Sequence, residues 1–224
     1  MGTASKAYLI SYNALQAVGW GVCLAQVALA LHKGADAAGA YRAGAPAAAW
    51  MQMIAFVEIV HAATGLVPSS ALNTFMQWLG RSNALYRIAQ AIPELHSNPA
   101  APLMLACWSL GEVVRYPWYA ATAAGACPGW LTWLRYSAFI PIYPAGVVAE
   151  MVLMFRALPL IRARRLFSVA MPNALNFAFD YEVFMTVVLL LYPYLWWGLY
   201  STLLRQRRKK LAPVGGATAA GKAD

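Results

Sequence analysis

Six apolar stretches dominate this chain, each close to the roughly 20 residues that a helix needs to cross the hydrocarbon core of a bilayer. They run at about 8–31, 46–66, 72–92, 101–123, 134–157 and 178–203. A backbone in lipid must satisfy its hydrogen bonds internally, so runs of this length fold as helices. The balance of residue types agrees: 61% are hydrophobic and 11% charged, against about a quarter charged in soluble domains. The expected fold is all-α, a polytopic membrane protein built as a six-transmembrane-helix bundle. Its 224 residues suit one domain over 1–210. The remaining 211–224, rich in Ala, Gly and Pro, form an expected disordered tail.

The breaks between stretches are readable at Lys33–Gly39, Pro68–Ser70, Pro93–Pro99, Gly125–Gly129 and Arg162–Asn173. No internal repeat is visible. Cleavage of the first stretch as a signal peptide is disfavoured, because one lysine makes a weak n-region and Tyr12, Asn13 and Gln16 are foreign to an h-region. The three cysteines, Cys23, Cys107 and Cys127, are scattered and show neither disulfide nor zinc spacing. Free thiols packed among apolar neighbours, and no metal site, are the expectation.

The net charge of +9 is unevenly spread: five of the seventeen Lys and Arg residues fall in Arg205–Lys210, directly after the last apolar stretch. Such a cluster holds its end of the chain in the cytoplasm. Nucleic-acid binding is excluded, since there is no soluble domain to organise the patch. Six spans then put both termini in the cytoplasm. Against this, Arg156, Arg162, Arg164 and Arg165 follow the fifth stretch on the opposite side.

Polar residues inside the apolar stretches carry the chemistry, because a charge in the membrane is costly and is a functional hypothesis by default. Glu58 and His61 are three apart, with Gly65 a turn further; Glu112 and Arg115 are three apart; Arg135 opens the fifth stretch. The third stretch is the most polar, with Gln77, Arg81, Asn83, Arg87 and Gln90. It reads either as an interfacial helix or as a shielded span lining an internal site. Gln77 and Arg81, four apart on one face, favour the span. Asp180 and Glu182 read as helix-start acids, and Tyr194, Trp196, Trp197 and Tyr200 as an interfacial aromatic belt.

Tyr143 and Glu150 stand out among these. Seven residues apart, they are two helical turns distant and share a face, with Gly146 between them leaving an open gap. A phenol and a carboxylate flanking a gap can act as an acid–base pair. They can equally be an interfacial tyrosine and a glutamate paired with an arginine.

The stretch Leu134-Arg-Tyr-Ser-Ala-Phe-Ile-Pro-Ile-Tyr-Pro-Ala-Gly-Val-Val-Ala-Glu150 closely resembles the very-long-chain (3R)-3-hydroxyacyl-CoA dehydratases of fatty-acid elongation, once called tyrosine-phosphatase-like proteins. The resemblance extends to Tyr8-Leu-Ile-Ser-Tyr-Asn13, Glu58-Ile-Val-His-Ala-Ala-Thr-Gly-Leu-Val67, Thr74-Phe-Met-Gln-Trp-Leu-Gly-Arg81 and Glu112-Val-Val-Arg-Tyr116. It implies a membrane enzyme of the endoplasmic reticulum that dehydrates 3-hydroxyacyl-CoA in the third step of elongation, uses no cofactor, and works beside other elongase-cycle enzymes. It implies Tyr143 and Glu150 as the catalytic pair, with Glu58, Gln77, Arg81, Glu112, Arg115, Arg135 and Gly146 in support. One departure is Pro117, where a small or hydroxyl residue is expected; a proline there is expected to kink the fourth stretch. A cysteine phosphatase needs C-x5-R. Cys107 and Cys127 each precede an arginine by eight residues, so that signature is absent.

Dehydration removes a weakly acidic C2 proton and expels the C3 hydroxyl as water. The first assignment is Tyr143, assisted by Glu150, as base at C2; the inverse, with Glu150 as base and Tyr143 as donor to the leaving hydroxyl, remains open. Two other classes fit a bundle with internal charges: a non-catalytic scaffold of an elongase complex, and a small transporter, which the lack of an inverted repeat disfavours.

Overall fold

The structure is a computed structural model and describes residues 2–172 and 176–212. Eight α-helices follow in order: α1 (Thr3–His32), α2 (Ala37–Ile54), α3 (Val57–Ala63), α4 (Ala71–Ser82), α5 (Ala100–Ala124), α6 (Gly129–Arg135), α7 (Phe139–Arg164) and α8 (Tyr181–Leu211). A π-helical segment, Asn83–Gln90, continues α4 without interruption, and a 3-10 turn covers Pro93–Ser97. Among the described residues there is no strand, only a single antiparallel bridge between Val169 and Phe179. The all-helical membrane class is as expected; the disordered-tail expectation for 213–224 lies outside the described residues.

Polar side chains set the helix starts. Asp36 accepts from the Gly39 amide at 2.7 Å, Ser70 from Asn73 at 3.3 Å and Asp180 from Val183 at 3.1 Å. Three glycines end helices in left-handed conformation, Gly34 at φ +80°, Gly65 at φ +70° and Gly125 at φ +75°. Gly65 therefore lies in the turn after α3 rather than a turn further along a span. The second apolar stretch begins earlier than its hydropathy indicates, because Pro46 sits inside α2 rather than at its start. The fifth is split in two, with α6 and α7 separated by Tyr136–Ala138. Pro117 lies inside α5, which runs continuously through it.

α1 is the central packing element. Its buried residues Leu9, Tyr12, Asn13, Gln16, Trp20, Cys23 and Val27 recur every three or four positions and so form one face. That face lies against α5 and α2. The core joins Trp20 and Cys23 to Tyr41 and Ala48 of α2, Leu85 and Ile88 of the π segment, Met104 and Leu105 of α5, and Leu153 and Ile161 of α7. α8 buries only Tyr181 and Met185 to the full extent. Its outward side chains are apolar, with Leu190 76% and Tyr194 80% exposed, a surface suited to lipid and not to water.

Among the described residues, four helical segments are long and apolar enough to cross a membrane: Thr3–His32, Ala37–Ala63, Gly129–Arg164 and Tyr181–Leu211. The α4–π segment and α5 are not among them; they carry Arg81, Arg87, Glu112 and Arg115. Both described ends of the chain lie at one end of the bundle. There Tyr8 of α1 bonds His61 of α3 at 2.8 Å, Tyr12 packs on Tyr116 of α5, Trp118 on Tyr136, and Arg207 of α8 donates to Ser137 at 3.3 Å. At the opposite end two of the arginines that contradict the charge rule meet acids: Arg162 donates to both oxygens of Glu182 at 2.9 Å, and Arg164 pairs with Glu94. The hydrogen bond from Arg164 holds the exposed Glu94 carboxyl below its ordinary range. What this pair contributes is present above the unfolded carboxylate pKa and is lost as pH falls through the lower folded value.

α1 and α2 approach closely at Gly44. A Cβ there would stand 2.5 Å from Val27 Cγ2 and 3.2 Å from the Cys23 carbonyl oxygen. Valine is stiff at χ1 and the carbonyl is fixed in a helix, so neither yields easily. Gly44→Ala should therefore destabilise the protein by about 1–3 kcal/mol, read as a lower midpoint in thermal unfolding of the detergent-solubilised protein.

Candidate active site

Tyr143 and Glu150 both lie on α7, and its start is built to hold the tyrosine. α7 begins at Phe139, so Pro141 falls in the first turn, where its missing N–H breaks no helical bond. Pro144 lies deeper and cannot donate to the carbonyl of Ile140. The Tyr200 hydroxyl of α8 takes that place, donating to Ile140 O at 3.2 Å. Tyr200 and Trp196 also pack on the Tyr143 ring, with centroids at 6.2 and 6.3 Å. The Tyr143 hydroxyl itself makes no hydrogen bond among the described residues.

Glu150 is buried at the middle of the bundle. Trp108 of α5 donates its indole N–H to Oε1 at 2.6 Å, and the Tyr192 hydroxyl of α8 donates to Oε2. Tyr143 and Glu150 lie within electrostatic reach of one another and of Arg81.

A second polar cluster lies towards the end that holds both chain ends. Glu112 of α5 is buried and takes Arg81 on one oxygen and Arg115 Nε on the other at 2.5 Å. Arg115 continues to Glu58 at 3.4 Å and to the Tyr116 hydroxyl at 2.8 Å, and Tyr116 donates to Glu58 at 2.5 Å. Tyr12 of α1 donates to Glu58 at 3.3 Å and receives Gln16 at 3.1 Å. Two arginines thus meet two glutamates, and the cluster is electrically balanced, as buried charges must be.

Arg81 belongs to both clusters. Its guanidinium lies over the rings of Trp108 at 4.5 Å and Trp20 at 5.2 Å. One of its nitrogens bonds Glu112, while Nε and Nη2 are buried without a partner among the described residues. The indole N–H groups of Trp20 and Trp196 are likewise buried and unpaired. Buried donors without partners are costly, and these flank the carboxylate and phenol of α7. Beside Arg81 opens a small cleft of about 50 Å³, lined by Gln52, Glu58, Thr74, Gln77, Trp78 and Arg115.

Of the residues singled out from sequence, Glu58, Arg81, Glu112 and Arg115 form one ion network, and Gln77 joins Glu58, Arg81 and Arg115 along the cleft although it is otherwise exposed. Arg135 does not converge with them. It lies over the Tyr136 ring at 5.9 Å with Nε buried and unpaired, because the break between α6 and α7 holds it apart from the glutamates. Gly146 leaves no open gap: a Cβ there would meet Cys107 Cβ of α5 at 3.3 Å, so the missing side chain lets two helices touch. Trp196 and Tyr200 are not a lipid-facing belt but the packing of Tyr143, whereas Tyr194 and Trp197 do face outward. His61 is a satisfied interior histidine, bonded to Tyr8.

Sequence reasoning missed Trp108, Tyr192, Tyr12 and Tyr116. Trp108 had a signal, since it stands one turn before Glu112 on the same face. Tyr192 had none; in an apolar run it looks like any membrane tyrosine. No group of three His, Cys, Asp or Glu side chains among the described residues is placed to hold a metal.

Breaking one partner of a buried pair leaves the other charge exposed to low dielectric. Arg81→Ala and Glu112→Ala should each cost about 3–5 kcal/mol, seen as reduced yield of monodisperse protein and a lower melting temperature. Gly146→Leu should behave in the same way, by forcing α5 from α7.

Fold and site together define a helical membrane protein with a buried carboxylate, a half-buried phenol two turns away on the same helix, and an ion network beside them. The chain belongs to the protein tyrosine phosphatase-like protein family, PTPLA, whose model matches residues 52–213. It is similar to very-long-chain (3R)-3-hydroxyacyl-CoA dehydratase 2 of Mus musculus, 34% identical over 94% of this chain and 83% of that one. The Homo sapiens protein of the same name is 33% identical over 93% and 82%. Very-long-chain (3R)-3-hydroxyacyl-CoA dehydratase PASTICCINO 2 of Arabidopsis thaliana is 32% identical over 95% and 96%. No solved structure gives a significant match.

Proposed function

We propose that this protein dehydrates (3R)-3-hydroxyacyl-CoA to trans-2-enoyl-CoA, as the dehydratase step of very-long-chain fatty acid elongation, with Tyr143 and Glu150 as the proton-transfer pair. The observation that carries the reading is the juxtaposition of an unpaired phenol, a buried carboxylate and the unpaired Nε and Nη2 donors of Arg81 in one interior site. The names of its relatives agree with it.

The chemistry asks for three things, and each has a residue. A proton leaves C2 and a proton reaches the C3 hydroxyl, which Tyr143 and Glu150 exchange between them, each worth about 10²–10⁴-fold. Charge builds on the thioester oxygen as the C2 proton departs. The free Nε and Nη2 of Arg81 are donors suited to that oxygen, held in place by Glu112 and by the Trp108 and Trp20 rings. The cleft beside Arg81 takes the polar part of the substrate, leaving the polyanionic CoA at the end of the bundle that holds both chain ends, while the acyl chain lies between the apolar helices.

The same reading completes the topology. Six crossings are reached when α5 and the α4–π segment join the four apolar segments. What supports this is that Arg81 and Glu112 neutralise one another inside, and that Asn83 of the π segment accepts from Tyr181 at 2.7 Å at the far end. Both termini then face the cytoplasm, the membrane is that of the endoplasmic reticulum, and residues 1–210 act as one domain beside the other elongation enzymes.

The test supplies purified protein with a 3-hydroxyacyl-CoA and measures the 2-enoyl-CoA formed. Folded protein that gives no product overturns the reading. Tyr143→Phe and Glu150→Gln keep nearly the same volume, so packing is spared. Each should lower turnover by about 10²-fold or more. The double variant should lose much less than the product of the two, because groups acting as a unit are non-additive. Near-normal turnover in either single variant removes that residue from the mechanism.

A further inference from the structure

Glu150 differs from the other interior acids. Glu58 and Glu112 bond guanidinium groups, but Glu150 bonds none among the described residues. Its oxygens take two neutral donors instead, the Trp108 indole on one and the Tyr192 hydroxyl on the other. An ion pair would neutralise the carboxylate; two neutral donors orient it and leave its charge in place. A carboxylate offers about four lone-pair directions, so this clamp leaves one on each oxygen for a substrate proton.

The donors come from different helices. Trp108 is on α5, with its ring under Arg81, and Tyr192 is on α8, which fully buries only Tyr181 and Met185, both in its first turns. Tyr192 lies two turns beyond Met185, and its hydroxyl points to a buried acid rather than to the surface. Tyr143, by contrast, has a hydroxyl that no group among the described residues engages.

We infer that Trp108 and Tyr192 are positioning residues that set Glu150 as the acceptor of the C2 proton, leaving Tyr143 to donate to the departing hydroxyl. This rests on the dehydratase reading above. The C2–H bond breaks and its proton goes to a free lone pair of Glu150. The electron pair forms the C2–C3 double bond as the C3–O bond breaks. The Tyr143 proton joins the leaving oxygen to make water. Return of the Glu150 proton to the Tyr143 phenolate restores both groups, with no oxidant or co-reactant.

Trp108→Phe removes the indole donor and keeps a ring beneath Arg81; Tyr192→Phe removes one hydroxyl. Dehydration of 3-hydroxyacyl-CoA by each is compared with wild type and with the same change in the Glu150→Gln background, on protein of confirmed melting temperature. Each single change should lower kcat by about 10-fold or more, the scale of a hydrogen bond to a charged group. KM should stay within about 2-fold, and neither change should matter further once Glu150 is Gln. Unchanged kcat, a loss confined to KM, or an equal loss with and without Glu150 overturns the inference. So does an inactive Tyr192→Phe beside an active Tyr143→Phe, which makes Tyr192 the donor. A wild type without turnover removes the dehydratase reading itself, and the inference with it; an active wild type with indifferent variants removes the inference alone.

Discussion

The guanidinium of Arg81 holds the interior of this protein together. It is bonded to Glu112, stacked between Trp20 and Trp108, and left with two donors facing the site. Through Glu112 it reaches Arg115 and Glu58, and through Trp108 it reaches Glu150. Helices α1, α4, α5 and α7 therefore meet around one planar cation. Arginine suits the position because its fork can serve a carboxylate on one side while its faces rest on aromatic rings. Lysine offers neither the fork nor the face.

The two polar clusters divide the work of the interior. The network of Arg81, Arg115, Glu58 and Glu112 is balanced in charge and ties α3, α4 and α5 together. Glu150 stands outside that balance, clamped by neutral groups beside an unengaged phenol. On the mechanism proposed above, such unequal treatment of neighbouring acids keeps Glu58 and Glu112 structural and Glu150 reactive.

Much of this was legible in the chain, and the reasons differ by residue. Charges in apolar stretches are conspicuous because they are costly, so Arg81, Glu112, Arg115 and Glu150 announced themselves. Spacing identified which of them share a face, as with Glu112 and Arg115, but not which helices meet. The partners of Glu150 stayed hidden because tryptophan and tyrosine are ordinary in membrane helices and declare their donors only when a neighbour faces them. Gly146 misled for a related reason: a missing side chain reads as space, and only the packing partner tells whether Cys107 fills it. Arg135 misled because the break at Tyr136–Ala138, which carries it away from the network, has no strong punctuation; the nearest proline, Pro141, falls inside the next helix.

Four segments are apolar enough to enter a membrane unaided, and the two helices that carry Arg81 and Glu112 are not among them. An arginine at a helix centre costs about 2.5–3.5 kcal/mol on insertion, and the opposite charge on the next helix offsets it. On the six-crossing topology proposed above, α4 and α5 pass into the bilayer as one hairpin, with α4 waiting until Glu112 has emerged. On that topology a chain that loses the pair loses its threading before its site is ever called upon, so the order in which the protein is made is written into the same ion pair that shapes the site.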